Sequence, residues 1–107
     1  MAIYLKDPNL ARSIRNDKAI DIIIDYYLEF EPDIDREKFQ VSESQYVKKI
    51  MYRGSNYIVT YENDIIVNPV IHDGQYLTEK FVERLEHLTN DIKRIKRKDF
   101  LDRLKDK

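Results

Sequence analysis

Between residues 17 and 29 the chain places a carboxylate at every fourth position, Asp17, Asp21, Asp25 and Glu29, and fills the gaps mainly with apolar side chains. No other stretch leaves so few choices of fold. A period of four is close to one helical turn, so a helix over residues 17–30 sets the acids along one side. At roughly 100° per residue the acids fall at about 0°, 40°, 80° and 120°. Ala19, Ile20, Ile22, Ile23, Ile24, Tyr26, Tyr27 and Phe30 cover most of the remaining circumference, and Leu28 intrudes among the acids at about 20°. That apolar arc is wider than the stripe of about 100° carried by an ordinary surface helix. The segment therefore reads as a nearly enclosed rod, wetted along its carboxylates. Like charges at this spacing repel by about 0.2–0.5 kcal/mol per pair, so the ladder costs stability unless something uses it.

Asn16 or Asp17 can cap this helix, and Glu31-Pro32 ends it, because the residue before a proline avoids the α region. Upstream, Asp7-Pro8 reads as the start of a short helix over about 8–15, with proline at the first helical position. Asp33 is placed to cap a further turn within DIDREKFQ. Two turn signals follow among β-branched and aromatic residues. Arg53-Gly54-Ser55-Asn56 sets glycine first in a two-residue loop, and Asn63-Asp64 suits a second tight turn. They divide residues 45–53, 56–62 and 65–71 into a three-stranded antiparallel meander, with Pro69 suiting the third strand to a sheet edge. Register counted from these turns pairs Tyr52 with Tyr57 and Ile50 with Val59. Tyr46, Tyr52, Tyr57 and Tyr61 then share one face with Lys48, Ile50, Val59 and Ile66.

After a loop at His72-Asp73-Gly74, Thr78 opens a long C-terminal helix. Phe81, Leu85, Leu88, Ile92 and Ile95 step by four and three, the spacing of a helix–helix seam, and the phase breaks near Asp99. The expectation is one α+β domain over residues 1–107, ordered α-α-β-β-β-α.

The net charge of −1 hides a polarity. Residues 17–37 hold eight acids against Lys18 and Arg36, whereas residues 90–107 hold eight lysines and arginines against four acids. One end is acidic and the other basic.

Catalytic chemistry has little to stand on. The chain has no cysteine, which excludes disulfides, thiolate nucleophiles and cysteine metal sites. Its two histidines, His72 and His87, are far apart, and no glycine-rich phosphate cradle accompanies the carboxylates. The expectation is a non-enzyme without cofactor or metal. No apolar run approaches the ~20 residues needed to cross a bilayer, and the opening residues lack the pattern of a signal peptide. These features fit a cytoplasmic protein without a membrane partner.

Two binding functions remain. In the first, the acidic strip (Asp17, Asp21, Asp25, Glu29) and the tyrosine face (Tyr46, Tyr52, Tyr57, Tyr61) dock another protein. Regularly spaced carboxylates imitate a line of phosphates and steer a basic, nucleic-acid-binding partner. Such a module acts as an inhibitor or antagonist, in the style of phage and mobile-element accessory proteins. The seam Phe81, Leu85, Leu88, Ile92 and Ile95 offers homodimerisation unless the chain's own sheet covers it. Pairing of the ladder with residues 93–98 of the same chain is the internal alternative. In the second function, Lys93, Arg94, Lys96, Arg97 and Lys98 contact nucleic-acid phosphates in a transcription-control role. Asp91, Asp99, Asp102 and Asp106 dilute that face, and a pI near 6.1 is low for such a protein.

Overall fold

The computed structural model describes residues 2–68 and 74–105. In chain order the elements are β1 (Ile3–Lys6), α1 (Pro8–Ile14), α2 (Ala19–Phe30), a 3-10 turn (Arg36–Lys38), β2 (Phe39–Glu43), β3 (Val47–Tyr52), β4 (Ser55–Tyr61), β5 (Asp64–Val67), α3 (Gln75–Glu86) and α4 (Leu88–Lys105). The strands form one antiparallel sheet in the order β1-β5-β4-β3-β2. The fold class is α+β, as expected. Among the described residues the sheet has five strands rather than three, and the long C-terminal stretch is two helices.

Both unexpected strands lie at the sheet edges. β1 is four residues of alternating exposure pairing with β5, Ile3 opposite Val67. β2 is too polar to stand out, since every residue but Phe39 is exposed. With β1 beyond it, β5 is an interior strand, so the edge expected for the third strand belongs to β1. Pro69, the strand expected to continue to residue 71, and His72-Asp73 lie outside the described residues.

The helix punctuation follows the sequence at the start of α1 and at the end of α2, but not at the starts of α2 and α3. The Asp7 carboxylate accepts the N–H groups of Asn9 and Leu10, both at 3.1 Å, ahead of Pro8. α2 begins at Ala19 with Lys18 as its N-cap and no side-chain cap, so neither Asn16 nor Asp17 caps it; Asn16 instead accepts from the Lys18 N–H at 2.9 Å in the preceding turn. α2 stops at Phe30, before Glu31-Pro32, and α3 opens at Gln75 rather than at Thr78. The 3-10 turn takes Asp35 rather than Asp33 as its cap.

The β3–β4 hairpin departs from the counted register for two reasons. Its loop is Arg53-Gly54, with φ of 50° and 83°, the left-handed pair a type I′ turn requires; it begins one residue earlier than expected. β4 also carries a bulge. Ile50 opposes Ile58 and Met51 opposes Asn56, leaving Tyr57 as the extra residue. A one-residue slip exchanges the two faces of a strand, so Ile58, not Val59, lies opposite Ile50. Bulging also lets the adjacent Tyr57 and Ile58 both be buried.

The helices cover one face of the sheet. Between them lie Leu10, Ala11 and Ile14 of α1, Ile23 and Tyr27 of α2, Phe81 and Leu85 of α3, Leu88 and Ile92 of α4, and Ile50, Ile58, Ile65 and Val67 of the sheet. An aromatic cluster holds the centre. The Tyr27 ring lies 4.4 Å from that of Phe81, 5.1 Å from Tyr57 and 6.0 Å from Phe39. The proposed self-association seam is thus filled from within. Phe81, Leu85 and Leu88 are wholly buried and Ile92 nearly so, and only Ile95 reaches the surface. The helical break falls at His87, whose N–H bonds the Arg84 carbonyl at 3.1 Å, not near Asp99.

A single lysine is buried on the sheet's inner face. Lys48 is 1% exposed, and its Nζ donates to the carbonyls of Arg15 at 3.1 Å and Asn16 at 3.5 Å, at the C-terminal end of α1.

Burial pushes the Tyr27 hydroxyl well above its ordinary pKa, with the neighbouring Tyr57 adding to the effect. The folded chain therefore holds this proton more tightly than the unfolded chain. The resulting stability is complete below about pH 10 and is lost as pH rises further, at about 1.4 kcal/mol per pH unit. Tyr27→Phe is expected to lessen the alkaline decline of urea-derived stability between about pH 9 and 11. An unchanged decline contradicts the burial of this hydroxyl.

Candidate functional site: the α2 ridge and its adjoining cleft

Within α2 the exposed side chains are Asp21, Asp25 and Glu29, while Ala19, Ile22, Ile23, Ile24, Tyr26 and Tyr27 are buried. Asp17 stands exposed just before the first turn. The ladder faces outward because the rest of the helix is committed to the core.

The ridge is not purely anionic. Arg36, carried by the 3-10 turn, pairs with Asp25 and lies 3.9 Å from Asp21. Arg84 of α3 lies 3.7 Å from Glu29. Among the described residues Asp17 has no ion-pair partner. The internal neutralisation weighed from sequence therefore occurs, but through Arg36 and Arg84 rather than residues 93–98. The ion pair that joins this region to the far half of α4 has the opposite sense, Lys18 with Asp99 at 3.8 Å. Asp21, Asp25 and Glu29 keep side-chain exposures of 87%, 61% and 57%. Pairs this exposed contribute about 0.2–1 kcal/mol each.

Beside the ridge lies a cleft of about 270 Å³ between α2, α3 and α4. Ile22 and Ile95 form its apolar walls, and Asp25, Glu29 and Arg84 its ridge side. At its base the Tyr26 hydroxyl donates to Asp91, which Arg94 also engages at 2.8 Å. The Arg84 guanidinium sits 5.0 Å from the centre of the Tyr26 ring. Burial, then the hydrogen bond and charge of Asp91, raise the Tyr26 pKa. The hydroxyl thus stays protonated at neutral pH and serves as a donor.

The four tyrosines do not form one surface. Tyr52 and Tyr57 join the core cluster, their rings 5.4 Å apart, whereas Tyr46 and Tyr61 are about half exposed. The open sheet face has a member that sequence reasoning missed. Tyr4 of β1 is 75% exposed, beside Ile66 and, through it, Val59. The alternation in IYLK was the available signal.

Lys93, Arg94, Lys96, Arg97 and Lys98 are all exposed on α4. This helix runs antiparallel to α2: Tyr26 meets Asp91, Ile22 and Ile95 line the same cleft, and Lys18 meets Asp99. Two ladder residues, Asp25 and Glu29, and one basic residue, Arg94, therefore share a cleft. Among the described residues no group of three His, Cys, Asp or Glu side chains is placed to hold a metal ion. No helix there is long and apolar enough to cross a membrane. Comparison with protein-family models, with curated proteins and with solved structures finds no match.

Proposed function

We propose that the protein is a non-catalytic binding module that docks a cationic surface of another protein along the α2 ridge, acting as an inhibitor or antagonist. One observation carries this reading: the exposed edge of a helix otherwise sunk in the core is a row of carboxylates. Four residues of helix advance about 6 Å, so the row is regular, and its buried faces keep it rigid. A pre-ordered surface loses little freedom on docking.

The arginines temper the ridge without cancelling it. Four carboxylates against Arg36 and Arg84 leave an excess of two negative charges. Because exposed pairs contribute about 1 kcal/mol or less, a partner's lysines and arginines displace them at small cost. Proteins that bind nucleic acid suit this ridge, since its spaced anions resemble what such proteins already bind, and the excess charge steers their approach. Tyr26, Asp91 and Arg94 are engaged with one another, which favours a structural rather than catalytic use of the cleft.

The test compares capture from cell lysate by immobilised native protein and by an Asp21→Asn/Asp25→Asn/Glu29→Gln variant, quantified by mass spectrometry at low and high salt. A set of basic proteins retained at low salt by the native protein and lost by the variant is expected. Equal capture by both contradicts the proposal.

A further inference from the structure

We infer that the solvent side of α4, from Lys93 to its exposed end, is a contact surface for duplex DNA, separate from the α2 ridge. Buried Leu88 and Ile92 fix the rotation of this helix against the body. Taking Leu88 as the inward direction, at about 100° per residue, Asp91, Asp99 and Asp102 fall within about 60° of it. Lys93, Arg97, Phe100 and Leu104 fall about 120–180° away by the same count. Asp91 and Asp99, which dilute the basic run along the sequence, are therefore turned toward the body, and Asp102 lies on the same side of the helix. Two of them are also engaged there, Asp91 with Tyr26 and Arg94, and Asp99 with Lys18. Toward solvent the helix presents Lys93 and Arg97, flanked by Lys96 and Lys98.

The end of the helix overhangs. Asp99 is level with Lys18, the residue preceding α2, so residues 100–105 run past the start of their supporting neighbour for about 9 Å. Phe100, Leu101 and Leu104 are 60%, 46% and 54% exposed on this overhang. A helix of roughly 10–12 Å diameter fits the B-DNA major groove, about 12 Å wide, whereas the A-form groove is too narrow. Within that groove the cations meet phosphates and the apolar side chains meet thymine methyl groups. An anionic membrane suits the surface less well, because cations and carboxylates interrupt its few apolar residues. The α2 ridge repels phosphate, so the duplex approaches α4 from the side away from α2.

The test is fluorescence anisotropy of a labelled DNA duplex of about 20 base pairs with the full chain. About three phosphate contacts imply a 10–100-fold fall in affinity between 50 and 200 mM salt. A Lys93→Gln/Arg97→Gln variant with unchanged circular dichroism and melting is expected to lose at least tenfold in affinity, with a salt slope shallower by about two. A Lys49→Gln/Arg53→Gln control on the sheet keeps native affinity. Absence of duplex binding at 50 mM salt, undiminished binding by the α4 variant, or preference for phosphatidylserine vesicles or duplex RNA each overturns the inference. Because the ridge carboxylates are untouched, failure here leaves the protein-docking reading standing, and the reverse also holds.

Discussion

Phe81→Ala is expected to lower unfolding free energy by about 3–5 kcal/mol, a large part of the 5–15 kcal/mol typical of a whole domain. Phe81 is wholly buried on α3. Its ring lies 4.4 Å from Tyr27 and 5.7 Å from Phe30, both on α2. Through Tyr27 it connects to Tyr57 and Phe39 of the sheet. Truncation removes the ring's transfer free energy and leaves a cavity whose walls are other rings fixed by helix and sheet, so collapse is limited. Phe100→Ala is the natural comparison, because that ring is 60% exposed on the α4 overhang and its loss changes stability by about 0.5 kcal/mol or less. Urea denaturation of the two variants measures the difference directly. Similar losses contradict the placement of one ring in the core and the other in solvent.

Lys48→Ala should be nearly as damaging, at about 3–4 kcal/mol. Three methylenes leave the interior at about 0.8 kcal/mol each, and the Arg15 carbonyl loses a donor, costing about 1–3 kcal/mol, whereas the Asn16 carbonyl keeps the Ala19 N–H at 2.9 Å. Lys48→Met separates the contributions, because it keeps the stem and discards only the ammonium; about 1–3 kcal/mol is expected. Loss of the desolvation penalty on the buried charge offsets part of both values. The ammonium also lies at the C-terminal end of α1, where a cation complements the helix dipole. A Met variant as stable as the native chain would show that the Arg15 carbonyl finds another donor.

The legible part of this fold was whatever local chemistry dictates. Asp7-Pro8 announced α1, the four-residue period of carboxylates announced α2, and Glu31-Pro32 announced its end; each depends on nearest neighbours along the chain. The turn signals mark the meander β3-β4-β5 but neither of the two edge strands. β1 is four residues long, and β2 draws its stability from pairing with β3 rather than from apolar content, so neither has a strong signal of its own. Register failed where a bulge at Tyr57 and a left-handed Arg53 intervened. A bulge is chosen by the packing of both faces, and the propensity of Arg53 argues against its observed φ. The same slip broke up the expected tyrosine surface, with Tyr57 buried and Tyr52 half-buried against the core. At the ridge, positions were legible and partners were not. Arg36 and Arg84 reach the carboxylates only once the 3-10 turn and α3 have packed beside α2.

Docking along α2 requires that the ridge carboxylates be held outward by the core rather than hold the fold together. Urea denaturation of the Asp21→Asn/Asp25→Asn/Glu29→Gln variant tests this directly. Losing the exposed pairs with Arg36 and Arg84 is offset by relief of like-charge repulsion along the helix, so a stability within about 1 kcal/mol of the native chain is predicted. A loss of about 3 kcal/mol or more would mean that the arginine pairs are structural, and that the ridge is spent on the fold instead of being open to a partner.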